Sequence, residues 1–237
     1  MIDKFSTKKD VDFQKGETIL IDKNIRQTSF SVVKQFRYLI KKKYNYDKLK
    51  VGHAGTLDPL ATGLLIICTG KATKTIDVIQ NDNKEYIAEV MLGATTPSLD
   101  AETEINEKFK IDHISEELIK RSLIKFTGEI EQIPPIYSAI RVDGVRSYHN
   151  ARKGKNIEPK SRKVIIHEIE LLDIEMPIVK LRIFCGKGTY IRSLARDIGK
   201  HLNSGAYLRN LRRIKIGKYN VENSLTIPEF ENKLNLL

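Results

Sequence analysis

The chain has 237 residues, of which 41% are hydrophobic and 30% charged, enough to bury the core of a folded protein. No apolar run reaches the roughly 20 residues of a membrane-spanning helix, and the N-terminus lacks the apolar segment of a signal peptide. The formal net charge of +11 favours polyanionic partners, because lysine and arginine contacts to phosphate supply much of the affinity for nucleic acids.

The cysteines and histidines do not indicate a metal site. The two cysteines, Cys68 and Cys185, both lie in apolar runs, which favours reduced core thiols in a cytoplasmic protein over a disulfide framework. The five histidines show no metal-ligand spacing. The sequence therefore predicts a cytoplasmic protein without a bound metal.

The first predicted elements are an arm, a strand and a helix. Residues 1–16 are polar and charged, which predicts a flexible N-terminal arm. Residues 17–21 predict a strand. Ser29 is a favourable N-cap for a helix that continues to about residue 43, because apolar residues recur on one face of that segment.

The next stretch, residues 52–63, has three glycines and one proline, which predicts a shaped loop. Residues 64–68 predict a buried strand directly after it. Loops at the end of a core element often carry catalytic residues. Asp58 is the central carboxylate. Pro59 fixes its own φ and biases the backbone of the preceding Asp58 towards an extended conformation. Taken alone, the motif also fits a plain turn in which Asp58 is a capping residue.

The complete pattern of this stretch is longer than a turn requires. Residues 52–65 follow Gly-His-x-Gly-Thr-Leu-Asp-Pro-x-Ala-x-Gly-x-Leu, and residues 70–74 follow Gly-Lys-Ala-Thr-Lys. Together they resemble the active-site signature of the bacterial tRNA pseudouridine synthase B family. The resemblance implies an isomerase that converts the T-loop uridine of tRNA, uridine-55, into pseudouridine, with Asp58 as the nucleophile.

The family's opening motif, Asp-Lys-Pro-x-Gly-x-[Ser/Thr]-Ser, is matched only in part by residues 22–29. The chain has Asn24 in place of the proline and Arg26 in place of the glycine. These departures leave the turn geometry open, and Arg26 adds a cation beside the expected RNA side. Lys23 matches the motif, and the resemblance implies that it takes part in substrate binding.

Residues 72–80 predict a short helix, and residues 84–92 alternate like a strand with one buried face. Tyr86 in that strand fits ordinary core packing. The resemblance implies instead that Tyr86 stacks on the extruded uracil, and that His53 fills the space which the base leaves. Stacking on an aromatic ring is worth roughly 1–3 kcal/mol per base.

The middle of the chain continues the resemblance. Residues 92–100 form a loop in which the family usually has two acids, and this chain keeps Asp100 but has Pro97 at the first position. Ser115 predicts the start of a helix. The resemblance implies an inserted RNA-gripping arm over about residues 127–155. Cations and aromatic rings interleave in that arm: Arg141, Arg146, Arg152, Lys153, Lys155, Tyr137 and Tyr148.

Two long strands are predicted at residues 163–174 and 178–185, followed by a helix to about residue 202. Thr189 is a suitable cap for that helix, which places Arg192 in its first turn. An arginine there lies at the positive end of the helix dipole, so a nearby anion is a plausible reason for it.

Three further site residues follow from the resemblance. Arg192 pairs with the catalytic aspartate in the family, and would orient Asp58 and keep it charged. Tyr190 would frame the base together with Tyr86. Leu211, directly before an arginine pair, would line the uracil pocket.

The predicted fold class is α/β, of the α+β type: a central, mixed, largely antiparallel sheet flanked by helices, with the inserted arm. Residues 17–237 would form the catalytic domain, without the C-terminal RNA-binding domain usual in bacterial relatives. The isomerisation requires no ATP, nicotinamide or metal, so no cofactor is expected. The expected partner is the T-arm stem-loop of tRNA, bound by a monomer with neither a membrane nor a protein partner.

Two other functions fit parts of this sequence. A phosphate-binding loop ending at Gly70 and Lys71 fails on spacing, because Leu65 stands where the first glycine belongs. A non-catalytic RNA-binding module or tRNA-folding chaperone on the same fold is the alternative. The presence of Asp58, Tyr86 and Arg192 argues against it, because binding alone needs no nucleophile.

Overall fold

The computed structural model describes residues 1–7, 10–138, 141–142, 145–147 and 159–237. The chain divides into two compact units. The first unit consists of Met1–Tyr86 and Arg212–Leu237, and the second of Ile87–Leu211. Each unit is described by itself below.

The described residues contain both strands and helices. In chain order they are β1 (Thr18–Lys23), α1 (Ser29–Tyr44), β2 (Val51–Ala54), β3 (Thr62–Thr69), α2 (Ile76–Asn81), β4 (Lys84–Leu92), β5 (Ala94–Thr95), β6 (Glu107–Lys108), α3 (Glu116–Lys125), β7 (Gly128–Gln132), β8 (Arg141–Val142), β9 (Val145–Arg146), β10 (Arg162–Glu175), β11 (Ile178–Cys185), α4 (Ile191–His201), β12 (Ala206–Ile216), β13 (Tyr219–Asn220) and α5 (Ile227–Leu236).

The first unit is organised around β3. This strand pairs antiparallel with β1 and β2, and parallel with the end of β12 through Arg212 and Arg213. Four successive residues of β3, from Leu64 to Ile67, have no exposed surface, which confirms the predicted buried strand. Leu20, Ala54 and Ile216 belong to the core cluster that forms around them. The strand fixes one end of the loop over residues 55–61, called the Asp58 loop below.

The second unit contains the strand order β4-β11-β10-β7. The long strands β10 and β11 pair antiparallel, from Ile166 opposite Cys185 to Glu175 opposite Ile178, and β7 pairs antiparallel with the other end of β10. Parallel and antiparallel pairs both occur in the chain, and helices accompany them. The predicted fold class, a mixed and largely antiparallel sheet with helices, is confirmed.

Two predicted helix caps are wrong by one residue. The cap of α1 is Thr28, whose hydroxyl accepts a hydrogen bond from the Ser31 amide, and Ser29 is the first helical residue. Thr189 does not cap α4, because its hydroxyl donates to the Gly186 carbonyl and the cap position is Tyr190. In α1 the Ser29 hydroxyl is taken up by the distant Leu57, whereas in α4 the Thr189 hydroxyl bonds locally and Tyr190 makes no side-chain cap hydrogen bond.

The predicted loop over residues 52–63 is shorter than expected. Its first three residues belong to β2 and its last two to β3, so His53 lies on a strand, opposite Ile67. Gly63 has a φ of +98°, and a β-carbon there would lie 2.3 Å from the Arg213 carbonyl oxygen. The close approach of β12 therefore requires glycine where the loop enters β3.

The predictions for the N-terminal arm and for the inserted arm have different outcomes. In the segment predicted as a flexible arm, Ile2 pairs with Ile19 and Phe13 is fully buried, while its flexibility stays a prediction. Part of the inserted arm, including Tyr148, Arg152, Lys153 and Lys155, lies outside the described residues. The described helices include none that is long and apolar enough to cross a membrane.

Candidate active site

The first unit holds the Asp58 loop by its two neighbouring residues. The buried Ser29 hydroxyl accepts a hydrogen bond from the Leu57 amide at 2.9 Å and donates to the Leu57 carbonyl at 3.1 Å. On the other side, the Pro59 carbonyl accepts a hydrogen bond from the Arg26 amide at 2.7 Å. Asp58 itself is half-buried. Its backbone position is therefore set from both sides.

Lys23 lies beneath this loop and is fully buried. Its ammonium group donates to the carbonyls of Asn24 and Gln27 at 2.9 and 2.8 Å, and it lies 3.4 Å from the Pro59 carbonyl oxygen. Burial lowers the pKa of Lys23 to about 8, although the negative charge of Asp58 counteracts part of that effect. The predicted substrate-binding lysine thus supports the backbone around Asp58.

Arg213 is another buried cation of the first unit, and it was not among the predicted site residues. Only 1% of its surface is exposed. Its guanidinium donates to the carbonyls of Gly55 at 3.0 Å and Leu64 at 2.8 Å, with Thr56 at 3.5 Å. The arginine pair after Leu211 was a signal for it, but the sequence does not show which of the two arginines is buried.

His53 is half-buried on β2. Burial lowers its pKa, and the charge of Arg213 lowers it further, so the neutral imidazole is favoured at neutral pH. Its Nδ1 atom is buried and has no hydrogen-bond partner among the described residues. Tyr86, the last residue before the second unit begins, is also buried, with 8% of its surface exposed.

In the second unit, Arg192 is buried in the first turn of α4, as predicted. Its guanidinium donates to the carbonyls of Ser98 and Tyr137, both at 3.0 Å. The Asp100 carboxylate lies 3.6 Å away and is also buried. Asp100 matches the family pattern, but sequence analysis gave it no role. The structure makes it a counter-ion for Arg192.

Tyr190 is anchored through its backbone. The buried side chain of Gln132 accepts a hydrogen bond from the Tyr190 amide at 2.7 Å and donates to the Tyr190 carbonyl at 3.1 Å. The Arg162 guanidinium lies over the Tyr190 ring, 4.8 Å from its centre. Gln132 was missed because a glutamine in a strand has no local signal for such a contact. Leu211 lies partly buried on β12.

Each unit thus contains some of the site residues that the sequence predicted. The first unit places Lys23 and Arg213 against the backbone of the Asp58 loop, with His53 on the neighbouring strand. The second unit brings Arg192 to Asp100 and fixes Tyr190 two residues before it. The predicted pairing of Asp58 with Arg192 joins residues of different units and stays a prediction. The described residues contain no group of three or more potential metal ligands.

Comparison with known proteins defines the class of this chain. The model of the TruB family pseudouridylate synthase N-terminal domain matches residues 41–191. The model of the tRNA pseudouridylate synthase B C-terminal domain matches residues 192–236, a region that sequence analysis counted within the catalytic domain. The first of these ranges includes the whole Asp58 loop. It also includes Gln132 and Arg162, the two residues that contact Tyr190. The chain is therefore a pseudouridylate synthase.

Solved structures agree with this class. A chain in the crystal structure of a Cbf5-Nop10-Gar1 complex is 31% identical, with a TM-score of 0.69 over 93% of this chain. A chain of an H/ACA RNP bound to a substrate RNA containing 2′-deoxyuridine is 29% identical, with a TM-score of 0.66. This chain spans about half of each, at 54% and 53% of their lengths.

Curated relatives give the more specific identification. tRNA pseudouridine synthase B of Phocaeicola vulgatus is 53% identical, over 93% of this chain and 94% of that protein. The protein of the same name from Flavobacterium johnsoniae is 52% identical, over 94% of this chain and 98% of that protein. The chain belongs to the TruB family of tRNA pseudouridine synthases. It is an isomerase that acts on tRNA.

Proposed function

We propose that this chain isomerises the T-loop uridine of tRNA, uridine-55, with Asp58 as the nucleophile. The observation that carries the proposal is the anchored loop: Ser29 holds Leu57, and Lys23 and the Arg26 amide contact Pro59. A carboxylate between two fixed residues is positioned for attack before substrate arrives. A carboxylate can act as a nucleophile without a separate general base.

The reaction leaves the composition of the nucleotide unchanged. The bond between C1′ of the ribose and N1 of uracil breaks, the base rotates, and a new bond forms between C1′ and C5. C5 loses its proton and N1 gains one, so no oxidant, reductant or energy source is consumed. Attack by Asp58 on the base and attack on the sugar both satisfy this balance.

The remaining predicted residues are assigned to handling the base. A uridine inside a folded loop must leave its stack first, at a cost of a few kcal/mol. We assign His53 to fill the space it leaves, Tyr86 and Tyr190 to contact the uracil ring, and Leu211 to line its pocket. The buried state of Tyr86 and the backbone anchor on Tyr190 suit rings that must hold one orientation.

Arg192 is assigned to orient the Asp58 carboxylate in the catalytic complex. A guanidinium can bind a carboxylate through two parallel hydrogen bonds, which fixes its direction. Arg192 is already held by two carbonyls and by Asp100, so its own position is set in advance. Lys23 contributes through the loop backbone and through its charge near Asp58.

We further propose that the partner is the T-arm stem-loop, bound by a cytoplasmic monomer. The net charge of +11 favours a polyanionic RNA, because each phosphate contact releases counterions. The fold of the chain resembles that of a protein whose solved complex contains a substrate RNA, which supports RNA as the ligand class.

The test is pseudouridine mapping of an unmodified tRNA transcript after incubation with the protein. Conversion is expected only at uridine-55, and it should be lost in Asp58→Asn while RNA binding remains. Asp47→Asn removes an exposed aspartate of the same unit and is the matched control, with wild-type conversion expected. Binding without conversion by the wild-type protein would support the alternative, a tRNA-folding chaperone. Wild-type conversion by Asp58→Asn would refute the assigned nucleophile.

A further inference from the structure

Arg26 has an unusual backbone conformation beside the Asp58 loop. It lies in the exposed turn between β1 and α1, and its φ is +64°. In this left-handed region the β-carbon of an L-residue crowds the following carbonyl group, so residues other than glycine, asparagine and aspartate are uncommon there. The family motif has glycine at this position. The chain therefore keeps an arginine where its backbone is strained.

The strain is maintained by contacts on either side of Arg26. The Lys23 ammonium donates to the carbonyls of Asn24 and Gln27, which closes the turn around a buried charge. The Arg26 amide donates to the Pro59 carbonyl at 2.7 Å. Residues held in such conformations cluster at functional sites, because the surrounding structure must over-determine them.

The Arg26 side chain starts next to the predicted nucleophile. Its backbone contacts Pro59, which directly follows Asp58. The residue is exposed, and among the residues that the structure describes none forms an ion pair with it. A solvent-facing guanidinium at the rim of a loop suits an anion that arrives with the substrate, since arginine matches the geometry of phosphate oxygens.

We infer that Arg26 binds a phosphodiester of the RNA backbone next to the target uridine. This inference rests on the proposed function, because it requires the target nucleotide at Asp58. A uridine whose base reaches Asp58 brings its ribose to the rim of the same loop, and a phosphodiester flanks that ribose on each side. Arg26 extends from this rim, so a flanking phosphate is the nearest anion that the substrate offers.

Two substitutions separate the charge of Arg26 from its backbone strain. Arg26→Gln keeps the β-carbon and removes the charge, and Arg26→Gly removes both. Both variants should bind an unmodified tRNA transcript about 5–10-fold more weakly at low salt. In both, the slope of log affinity against log salt should fall in magnitude by about 0.7–0.9, the value for one lost phosphate contact.

The two variants should differ in thermal stability. Arg26→Gly relieves the strain and should raise the melting temperature by about 1–3 °C, while Arg26→Gln should leave it unchanged. Asn45→Gly is the matched control, because Asn45 also has a positive φ of 51° and ends α1. It should change stability only slightly and leave RNA affinity and its salt dependence unchanged.

A modified substrate tests where the contact lies. A T-arm hairpin with an uncharged methylphosphonate on the 5′ or the 3′ side of the target uridine should lose affinity for the wild-type protein at one of the two positions. The same change should cost nothing in Arg26→Gln, because the partner is already gone. Equal penalties in both proteins at both positions would overturn the inference, as would wild-type affinity in Arg26→Gln. Failure of the wild-type protein to convert any uridine would instead refute the proposed function.

Discussion

The Asp58 loop and the start of α4 are anchored in similar ways but with opposite charges. In each, one neutral side chain satisfies both the amide and the carbonyl of a single residue: Ser29 at Leu57, and Gln132 at Tyr190. Around the Asp58 loop, the additional supports are two buried cations. Around Arg192, they are carbonyl oxygens and a buried carboxylate.

This difference follows the charge of the group that is held. Lys23 and Arg213 point their donors at the backbone of a loop that carries an aspartate. Asp100 and two carbonyls receive the donors of an arginine. Each scaffold thus opposes the charge of its predicted catalytic residue, which lowers the cost of burying that residue in its ionised form.

The largest effect is expected from Arg213→Met. The variant keeps the length of the side chain but leaves the carbonyls of Gly55 and Leu64 without their donor inside the protein. The free energy of unfolding should fall by about 3 kcal/mol. For a chain of this size, that corresponds to a decrease in melting temperature of roughly 6–12 °C. Urea and thermal denaturation measure both values.

The neighbouring Arg212 provides the control for that experiment. Arg212 is partly exposed and pairs with Asp22 through two hydrogen bonds of 3.0 and 2.6 Å. Arg212→Met should therefore lower stability by at most about 1 kcal/mol. Equal losses in the two variants would show that burial of Arg213 does not stabilise the loop.

The carboxylate in the second unit should have the next largest effect. Asp100→Asn retains the shape of the side chain but removes the charge 3.6 Å from the buried Arg192. Removing this buried negative charge should lower the free energy of unfolding by about 2 kcal/mol. Asp197→Asn is the control, because its pair with Arg196 is more exposed. A loss as small as that of the control would mean that the charge of Asp100 does not stabilise the buried Arg192.

The pH dependence of stability tests the buried lysine. The pKa of Lys23 is lowered by burial from 10.5 to about 8 in the folded protein, so the unfolded chain binds the proton more tightly. Stability should therefore rise with pH between about 8 and 10.5. Measured against Lys23→Met, the free energy of unfolding of the wild type should increase by about 2 kcal/mol between pH 8 and pH 10.

The measurement is urea denaturation of the wild type, Lys23→Met and a control variant at several pH values. The control is Lys42→Met, which removes an exposed lysine of α1 and should follow the wild type at every pH. A constant difference between wild type and Lys23→Met across this range would show that Lys23 keeps its ordinary affinity for protons.

The smallest effect is expected from Ser29→Ala. The variant loses the two hydrogen bonds that hold Leu57 next to Asp58, so kcat should fall about 10-fold, equivalent to about 1.4 kcal/mol. KM should stay unchanged, because Ser29 is buried and acts only through the loop. Ser31→Ala is the control, because Ser31 lies two residues further along α1 and is exposed. It should keep the wild-type kcat. A change confined to KM would argue that Ser29 does not position the nucleophile.

Several elements could be predicted from the sequence because their signals are local. The alternation in residues 84–92 coincides with β4, and Ser115 caps α3 as expected. The breakers around Asp58 and the apolar run after it located the loop and its strand. The motif containing Asp58 also identified the family, which the comparisons confirmed.

What only the tertiary structure decided is which polar groups are buried and what they contact. Lys23, Arg213 and Asp100 look like ordinary charged residues in the sequence, yet each is buried against distant groups. Ser29 looked like a helix cap, but Leu57 takes up its hydroxyl. Residue type and spacing set local conformation, whereas the desolvation and pairing of a charge depend on chain segments that only folding brings together.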